Sequence, residues 1–313
     1  VLVTGATGFI GSHLAVRLQA HGHAVRALVR AASDTSMLPS GVEIVRGELG
    51  DARAAADGAD GLLHLAGISG SLMRRRDVRD SQLWRVNVEG TGALFKAARE
   101  AGVRRGVHVT SMWTVLRPDL AARSPYVESR VASEHAAFDS VGRDMDVSCV
   151  CPTFVVGAGD RGPNFPGALV RAFLRGRLPV APPGGMTWIA VEDAADALVA
   201  ALERGERHAR YVIGAEHVAH SDLFARLARI AGRRPPWSVA PRPLLSAAGA
   251  VADAAVRIAG RRFPVPMRVG VELLGVDRPI DCDLARRALG EPRIPIDDAL
   301  ARAVGWFVEH EHV

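Results

Sequence analysis

Glycines at positions 5, 8 and 11 of the opening segment VLVTGATGFIG stand where an apolar run ends and a helical pattern begins. A loop of this kind turns tightly, lets the backbone approach a diphosphate, and points free N–H groups and the positive end of a helix dipole at the phosphates. The contacts are expected through Gly5, Thr7, Gly8, Phe9, Ile10 and Gly11. A plain glycine turn would carry the same residues, so the elements that follow must decide between the two. A second group of residues suits acid–base chemistry. Ser124 fits an N-cap and Pro125 the first helical turn, which puts Tyr126 at a helix start and Arg130 one turn on along the same face. A phenol can donate a proton, but with a reference pKa of about 10 it needs a nearby cation before it can serve as a base near neutrality. The chain has only two tyrosines, and Tyr126 follows Ser111, itself at the end of an apolar run, by fifteen residues.

The elements that must position these groups alternate. Short β-branched runs at Val1–Thr4, Ala24–Val29, Val42–Val45, Gly61–Leu65, Gly106–Thr110 and Val147–Cys151 are separated by helical periods at Phe9–Ala20, Leu83–Ala101 and Pro125–Ser140. That order predicts an α/β fold, a doubly wound parallel sheet of Rossmann type covered by helices on both faces. Gly157–Pro166 and Pro179–Gly185 are too rich in breakers to be sheet core. Helices are expected at Gly167–Leu174 and Val191–Leu202, and from Ser221 onward the chain reads as mainly helical. The expected division is a dinucleotide-binding domain over 1–155, rejoined by 186–214, and a smaller substrate domain from 156–185 and 215–313.

Composition excludes several classes. With 313 residues, 48% of them apolar, the chain can fill a large core. Cys149, Cys151 and Cys282 are odd in number and lack CxxC spacing, which suits buried thiols in a reducing cytoplasm and gives no metal site. No apolar run reaches the roughly 20 residues of a membrane helix and no signal-peptide pattern is visible, so a cytoplasmic protein with no membrane partner is expected. The chain starts at Val1 inside a strand pattern, so an initiator Met and a few residues are expected before it. The net charge of +5 comes almost wholly from arginine, Lys96 being the single lysine. The cations are scattered, so no nucleic-acid partner is expected. The Arg74–Arg76 run reads as solvated surface.

The GxxGxxG spacing, preceded by Thr4, resembles the extended branch of the short-chain dehydrogenase/reductase superfamily, with the NAD-dependent epimerase/dehydratase proteins. Further landmarks follow in the family's order. Glu48-Leu-Gly-Asp51 resembles its adenine-contacting segment, His64-Leu-Ala-Gly67 its strand end beside the cofactor, and Asn87-Val-Glu-Gly-Thr91 the segment whose Asn supports the active site. Cys151-Pro-Thr153 resembles its RP turn with Cys in place of Arg, and Val191-Glu-Asp-Ala194 a later helix start. The resemblance implies cofactor contacts at Leu49, Asp51, Leu65, Ala66, Gly67, Tyr126, Arg130, Pro152 and Thr153, and a catalytic set of Ser111, Tyr126, Arg130 and Asn87. Arg130 stands where the family has Lys, and a forked, permanently charged guanidinium is not an equivalent of an ammonium. His64, at a strand end, reads as a structural hydrogen-bonder.

Which dinucleotide is bound depends on the end of the second strand, where an acid holds a ribose diol and a cation accepts a 2′-phosphate. Arg30 stands there with no acid before Asp34, which favours NADP(H) over NAD(H). The Ala/Leu/Val-rich stretch Pro243–Ala259, residues 261–266 and the segment 281–290 resemble the 3β-hydroxysteroid dehydrogenase and dihydroflavonol reductase group. A lipophilic ketone or alcohol is the implied substrate, with Trp113, Phe154 and Trp188 as candidate pocket walls, the two tryptophans in loops. The expected assembly is a monomer or a homodimer. Two other readings stay open. One is a nucleotide-sugar epimerase or dehydratase, with Arg161, Arg171 and Arg175 clamping a diphosphate; the other is a non-catalytic dinucleotide-binding regulator, favoured by Arg130.

Overall fold

The structure, a computed structural model, describes residues 1–68, 82–117, 119, 121, 124–162, 164–241, 243, 247 and 277–311. The Arg74–Arg76 run, most of the stretch 243–259 and residues 261–266 lie outside them.

Among the described residues the main sheet has seven strands: β1 (Leu2–Thr4), β2 (Arg26–Val29), β3 (Glu43–Arg46), β4 (Gly61–His64), β5 (Arg105–Val109), β6 (Asp146–Pro152) and β10 (Arg210–Ile213). Their order is β10-β6-β5-β4-β1-β2-β3 and every pairing is parallel. A parallel sheet needs crossovers that cover both faces, and its central strands are apolar on both sides. β4, Gly-Leu-Leu-His, is accordingly buried at all four positions. On one face α1 (Phe9–Ala20) and α8 (Val191–Arg204) enclose a core that includes Leu14, Leu18, Leu63, Val107 and Leu198. On the other, α2 (Ala52–Ala56), α4 (Gly90–Glu100) and α6 (Pro125–Val141) close over Leu62, Leu94, Phe95 and Val147.

The chain order reverses between β1 and β4, with β2 and β3 on one side and β5 and β6 on the other. Loops leaving the carboxyl ends of these two strands therefore flank a crevice, where α/β sheets bind ligands.

The helix from Leu83 to Ala101 is interrupted. α3 (Gln82–Trp84) runs into a π turn, Arg85–Glu89, before α4 begins. π turns widen the helix by one residue and are frequent at functional sites; this one carries Asn87. α6 starts as its residues dictate, with Ser124 Oγ accepting from Val127 N at 3.4 Å and Pro125 in the first turn. α5 (Trp113–Leu116), which follows Ser111 closely, packs against it.

Around the breaker-rich segments the described residues form further short strands, of which only β8 and the first residue of β9 lie within Pro179–Gly185. β7 (Phe154–Val156) pairs with β9 (Gly185–Ala190), which pairs in turn with β11 (Glu216–Ala219), and β8 (Val180–Ala181) pairs with β12 (Ser238–Val239). β9 is buried at all six positions. Trp188 therefore sits within a strand and not in a loop, fully enclosed in a second core with Phe173, Phe224 and Phe307. That core is built by α7 (Phe165–Leu174), α9 (His220–Ala231), β9 and α11 (Ile296–Glu311). α10 (Asp283–Leu289) lies against α8, and Asp193 accepts from Arg293 N and Ile294 N at 3.0 and 2.9 Å, tying the segment before α11 to the start of α8.

Candidate functional site

Gly5 has φ +73°, a backbone conformation that only glycine adopts without strain. It also has no room for a side chain: a Cβ there would lie 2.6 Å from Ala66 N and 2.7 Å from the Leu65 carbonyl carbon. Gly11 is equally confined, its missing Cβ pointing at the Gly5 carbonyl and at Ala6 Cα. Gly8, exposed at the N-cap of α1, offers no side-chain hydrogen bond to the helix start, which leaves the first-turn N–H groups for another acceptor. The loop is thus a shallow backbone cradle at the crevice between β1 and β4.

Below it the polar side chains form one network. Thr4 Oγ1 donates to His64 Nδ1 at 2.6 Å, His64 Nε2 donates to Thr91 Oγ1 at 2.9 Å, and Thr91 Oγ1 donates to the Asn87 carbonyl at 2.6 Å. This arrangement assigns the Nε2–H tautomer to His64. Asn87 Oδ1 accepts from Ile68 N at 2.8 Å, while its Nδ2 donates to the Ile68 carbonyl at 3.0 Å and to Ser129 Oγ at 3.1 Å. The π turn, the loop after β4 and the first turns of α6 are therefore pinned together by one amide. His108 stacks on His64 with centroids 5.0 Å apart and planes 14° from parallel, and its Nε2 lies 2.9 Å from Ser133 Oγ.

Both rings are fully buried, and burial holds both in the neutral form. Desolvation, with the Arg130 charge second, pushes His64 down to about 3. His108 is also well below the usual imidazole range, through desolvation first, then His64 and Arg130.

Arg130 is buried, and its guanidinium fills the space a side chain on Gly67 would need: a Cβ there would meet Nη2 at 2.6 Å, Nη1 at 2.8 Å and Cζ at 3.0 Å. Its Cζ also lies over the Tyr126 ring, 5.5 Å from the centroid, a cation–π distance. Tyr126 is half-buried and Gly67 exposed, so the phenol and the buried cation lie close beneath the surface at the loop after β4. Ser111 is buried at the end of β5, and its Oγ accepts weakly from Trp113 N at 3.5 Å.

Thr153 Oγ1 and Arg130 Nε are buried with no hydrogen-bond partner. With the glycine cradle, these orphaned groups fit a polar ligand lying along the carboxyl ends of β1, β4 and β6. Pro152 ends β6 beside Thr153. Leu65 and Ala66 are partly exposed over Gly5. Asp51 is exposed at the end of a short 3₁₀ turn, Leu49–Asp51, and Leu49 packs on Gly90.

At the end of β2, Arg30 is exposed, and its carbonyl and that of Ala31 accept from Arg46 Nη1 at 3.2 and 2.7 Å. Arg46 was not legible as a site residue; the available signal was a second cation closing the neighbouring strand. The partners of the histidines, Thr4 and Ser133, were missed as well, because a buried hydroxyl has no sequence signature. Trp113 and Phe154 meet edge to face at 6.3 Å, and Phe154 is 6.1 Å from Phe165, which is 46% exposed. Phe165 is thus a further aromatic that the sequence did not single out.

The three cysteines are free and buried, and burial raises Cys151 to about 12 and Cys282 to about 11, so both are thiols at neutral pH. Among the described residues no group of side chains could hold a metal, and no helix is long and apolar enough to cross a membrane. A cleft of about 510 Å³ between the C-terminal half of α1, α8 and α10 contains the Arg17–Asp196 ion pair and none of the candidate residues.

With this geometry in view, the chain belongs to the NAD-dependent epimerase/dehydratase family, whose model matches residues 1–214. Family members of this kind are NAD(P)-dependent enzymes on a Rossmann-type sheet. Within it the chain is similar over nearly its whole length to sterol demethylase protein B of Methylococcus capsulatus, at 32% identity over 98% of both chains. It is 31% identical to a putative dihydroflavonol 4-reductase of Synechocystis, covering 99% of this chain and 95% of that one. Among solved structures, that of gox2253 superposes with a TM-score of 0.81 at 29% identity, covering 99% and 98% of the two chains.

Two outcomes follow from the packing. Gly67→Ala should cost less than the about 1–3 kcal/mol of a core overpacking, because the obstructing group is the end of a long side chain, and less still in an Arg130→Lys background. A double-mutant cycle by urea unfolding measures this, and equal costs in both backgrounds would show that the contact does not constrain Gly67. The histidines give a pH dependence: their folded-state pKa values lie below the unfolded value of about 6.5, so the unfolded chain binds more protons as pH falls below that. Stability should be level above about pH 6.5 and decline as the pH drops, and in His64→Gln the urea midpoint should decline less between pH 7 and pH 5.

Proposed function

We propose that this protein is an NADP(H)-dependent oxidoreductase that interconverts a ketone and a secondary alcohol on a hydrophobic small molecule, polycyclic or otherwise lipophilic. The observation that carries the reading is the Tyr126 phenol at the start of α6, with the Arg130 guanidinium on its ring face and under Gly67, beside the glycine cradle. Carbonyl reduction needs a hydride and a proton donor, and a bound nicotinamide supplies or takes up the hydride.

The chain's own residues do the rest. Tyr126 Oη donates the proton to the developing alkoxide in reduction and accepts it in oxidation. Ser111 hydrogen-bonds the reacting oxygen. Arg130 presents a permanent positive charge to the phenol and hydrogen-bond donors to the nicotinamide ribose, the role in which the family uses Lys. Asn87 acts at one remove, by fixing the loop after β4 against α6. Gly5, Thr7, Gly8, Phe9, Ile10 and Gly11 hold the diphosphate, Arg30 the 2′-phosphate, Leu49 and Asp51 the adenine side, and Leu65, Ala66, Pro152 and Thr153 the nicotinamide side.

The lipophilic substrate is supported by the Trp113, Phe154 and Phe165 rings beyond Ser111, and by relatives named for a sterol and a dihydroflavonol. A reducing cytoplasm is the compartment that suits the thiols.

Turnover of a panel of sterol-like, flavonoid-like and aliphatic ketones by the purified protein tests the reading. Tyr126→Phe should lower kcat by about 10²–10⁴-fold and weaken coenzyme binding far less than that. Turnover confined to nucleotide sugars, or unaffected by Tyr126→Phe, would overturn it, as would coenzyme binding with no turnover on any carbonyl. Arg30→Ala should weaken NADPH about tenfold and NADH little; equal losses would remove the NADP(H) assignment.

A further inference from the structure

The loop after β7 bends back over the helix that follows the glycine cradle. His13 Nε2, on α1, is 2.9 Å from the Ala158 carbonyl oxygen. A Cβ on Gly159 would lie 3.5 Å from Met37 Cε and 3.6 Å from His13 Nε2, so the loop rests on α1 and on the segment after β2 at once. Arg161 then spans to that segment: its Nη1 donates to Asp34 Oδ2 at 2.6 Å and to Ser36 Oγ at 3.2 Å.

Asp34 is the first acid after Arg30, and its own turn already occupies it. Oδ1 accepts from Ser36 N at 2.9 Å, and Oδ2 accepts from Ser36 Oγ at 3.1 Å as well as from Arg161. An acid held in this way is not free to take a ribose diol. Arg161, by contrast, keeps 49% of its side chain exposed, and Arg30 is exposed at the start of the same segment. The third cation nearby, Arg46, is committed to the Arg30 and Ala31 carbonyls and shapes the turn.

We infer that Arg161 is a second coenzyme-specificity residue, which turns from Asp34 to hold the 2′-phosphate of NADP(H) together with Arg30. The inference rests on the NADP(H) reading above and adds to it a residue 131 positions further along the chain. Its physics is an exchange of anions. An exposed carboxylate–guanidinium pair is worth little and is easily given up. A phosphate near its second ionisation carries more charge and three acceptor oxygens, and a guanidinium fork can meet it with two parallel bonds. Because Arg161 is carried by the loop after β7, its transfer to the phosphate also draws that loop toward the bound coenzyme.

Calorimetric titration with adenosine 2′,5′-bisphosphate and with 5′-AMP isolates the 2′-phosphate without any need for turnover. Arg161→Ala should weaken the bisphosphate about five- to tenfold and leave 5′-AMP within about twofold, with Arg161→Lys retaining part of the difference. Asp34→Asn, which removes the competing anion, should tighten the bisphosphate and leave 5′-AMP unchanged. Equal losses for both ligands in Arg161→Ala, or none for either, would overturn the inference, as would weaker 5′-AMP binding in Asp34→Asn. If Arg30→Ala abolishes the preference for the bisphosphate and Arg161→Ala does not, the inference alone fails. If the unaltered protein binds both ligands alike, the NADP(H) reading fails and this one with it.

Discussion

Three glycines stand where the sheet changes direction, and none has free space for a Cβ at its contact. Gly5 comes up against Leu65 and Ala66, Gly11 against Gly5, and Gly67 against the Arg130 guanidinium. Each missing Cβ brings one element closer: the turn after β1 to the turn after β4, α1 to its own preceding loop, and α6 to the crevice. The result is a groove floored by main-chain N–H groups and flanked by a phenol and a cation. Backbone donors serve a diphosphate well, since they are fixed before the ligand arrives and cost little to organise.

What keeps the two turns in place lies beneath them. The hydrogen-bonded path Thr4, His64, Thr91, Asn87, Ser129 crosses from β1 through β4 to α4 and α6 without meeting solvent. A buried polar chain is costly when broken, because each orphaned group then bears its full desolvation penalty. Two neutral imidazoles suit this place: His64 accepts on one side and donates on the other, His108 bonds Ser133 through Nε2, and neither adds a buried charge next to Arg130. The π turn at Arg85–Glu89 belongs to the same device, since it carries the amide of Asn87 that grips Ile68 and Ser129.

Arg130 in the family's Lys position is accommodated by this architecture. A guanidinium is broader than an ammonium, and the space it uses is that of the absent Gly67 side chain. The cation thereby reaches both the phenol ring and the groove from a position one turn along α6. The larger cation thus has a steric partner in the loop after β4, and Tyr126 and Arg130 stay in contact across one turn of α6.

Much of this was readable in the residues. Phe9–Ala20 appears with the predicted bounds, α6 starts on its Ser–Pro cap, and the six early strands are parallel as alternation and the crossover rule predict, because local periodicity and caps act over short stretches. The glycine cradle and the Tyr126–Arg130 spacing were legible for the same reason. Only the tertiary structure could show that His64 stacks on His108, that Gly67 yields its space to Arg130, that Arg161 reaches Asp34, or that Trp188 belongs to a buried strand. Those facts depend on contacts between residues far apart in the chain, and in β9 on burial that overrides the local preference of a Pro- and Gly-rich approach.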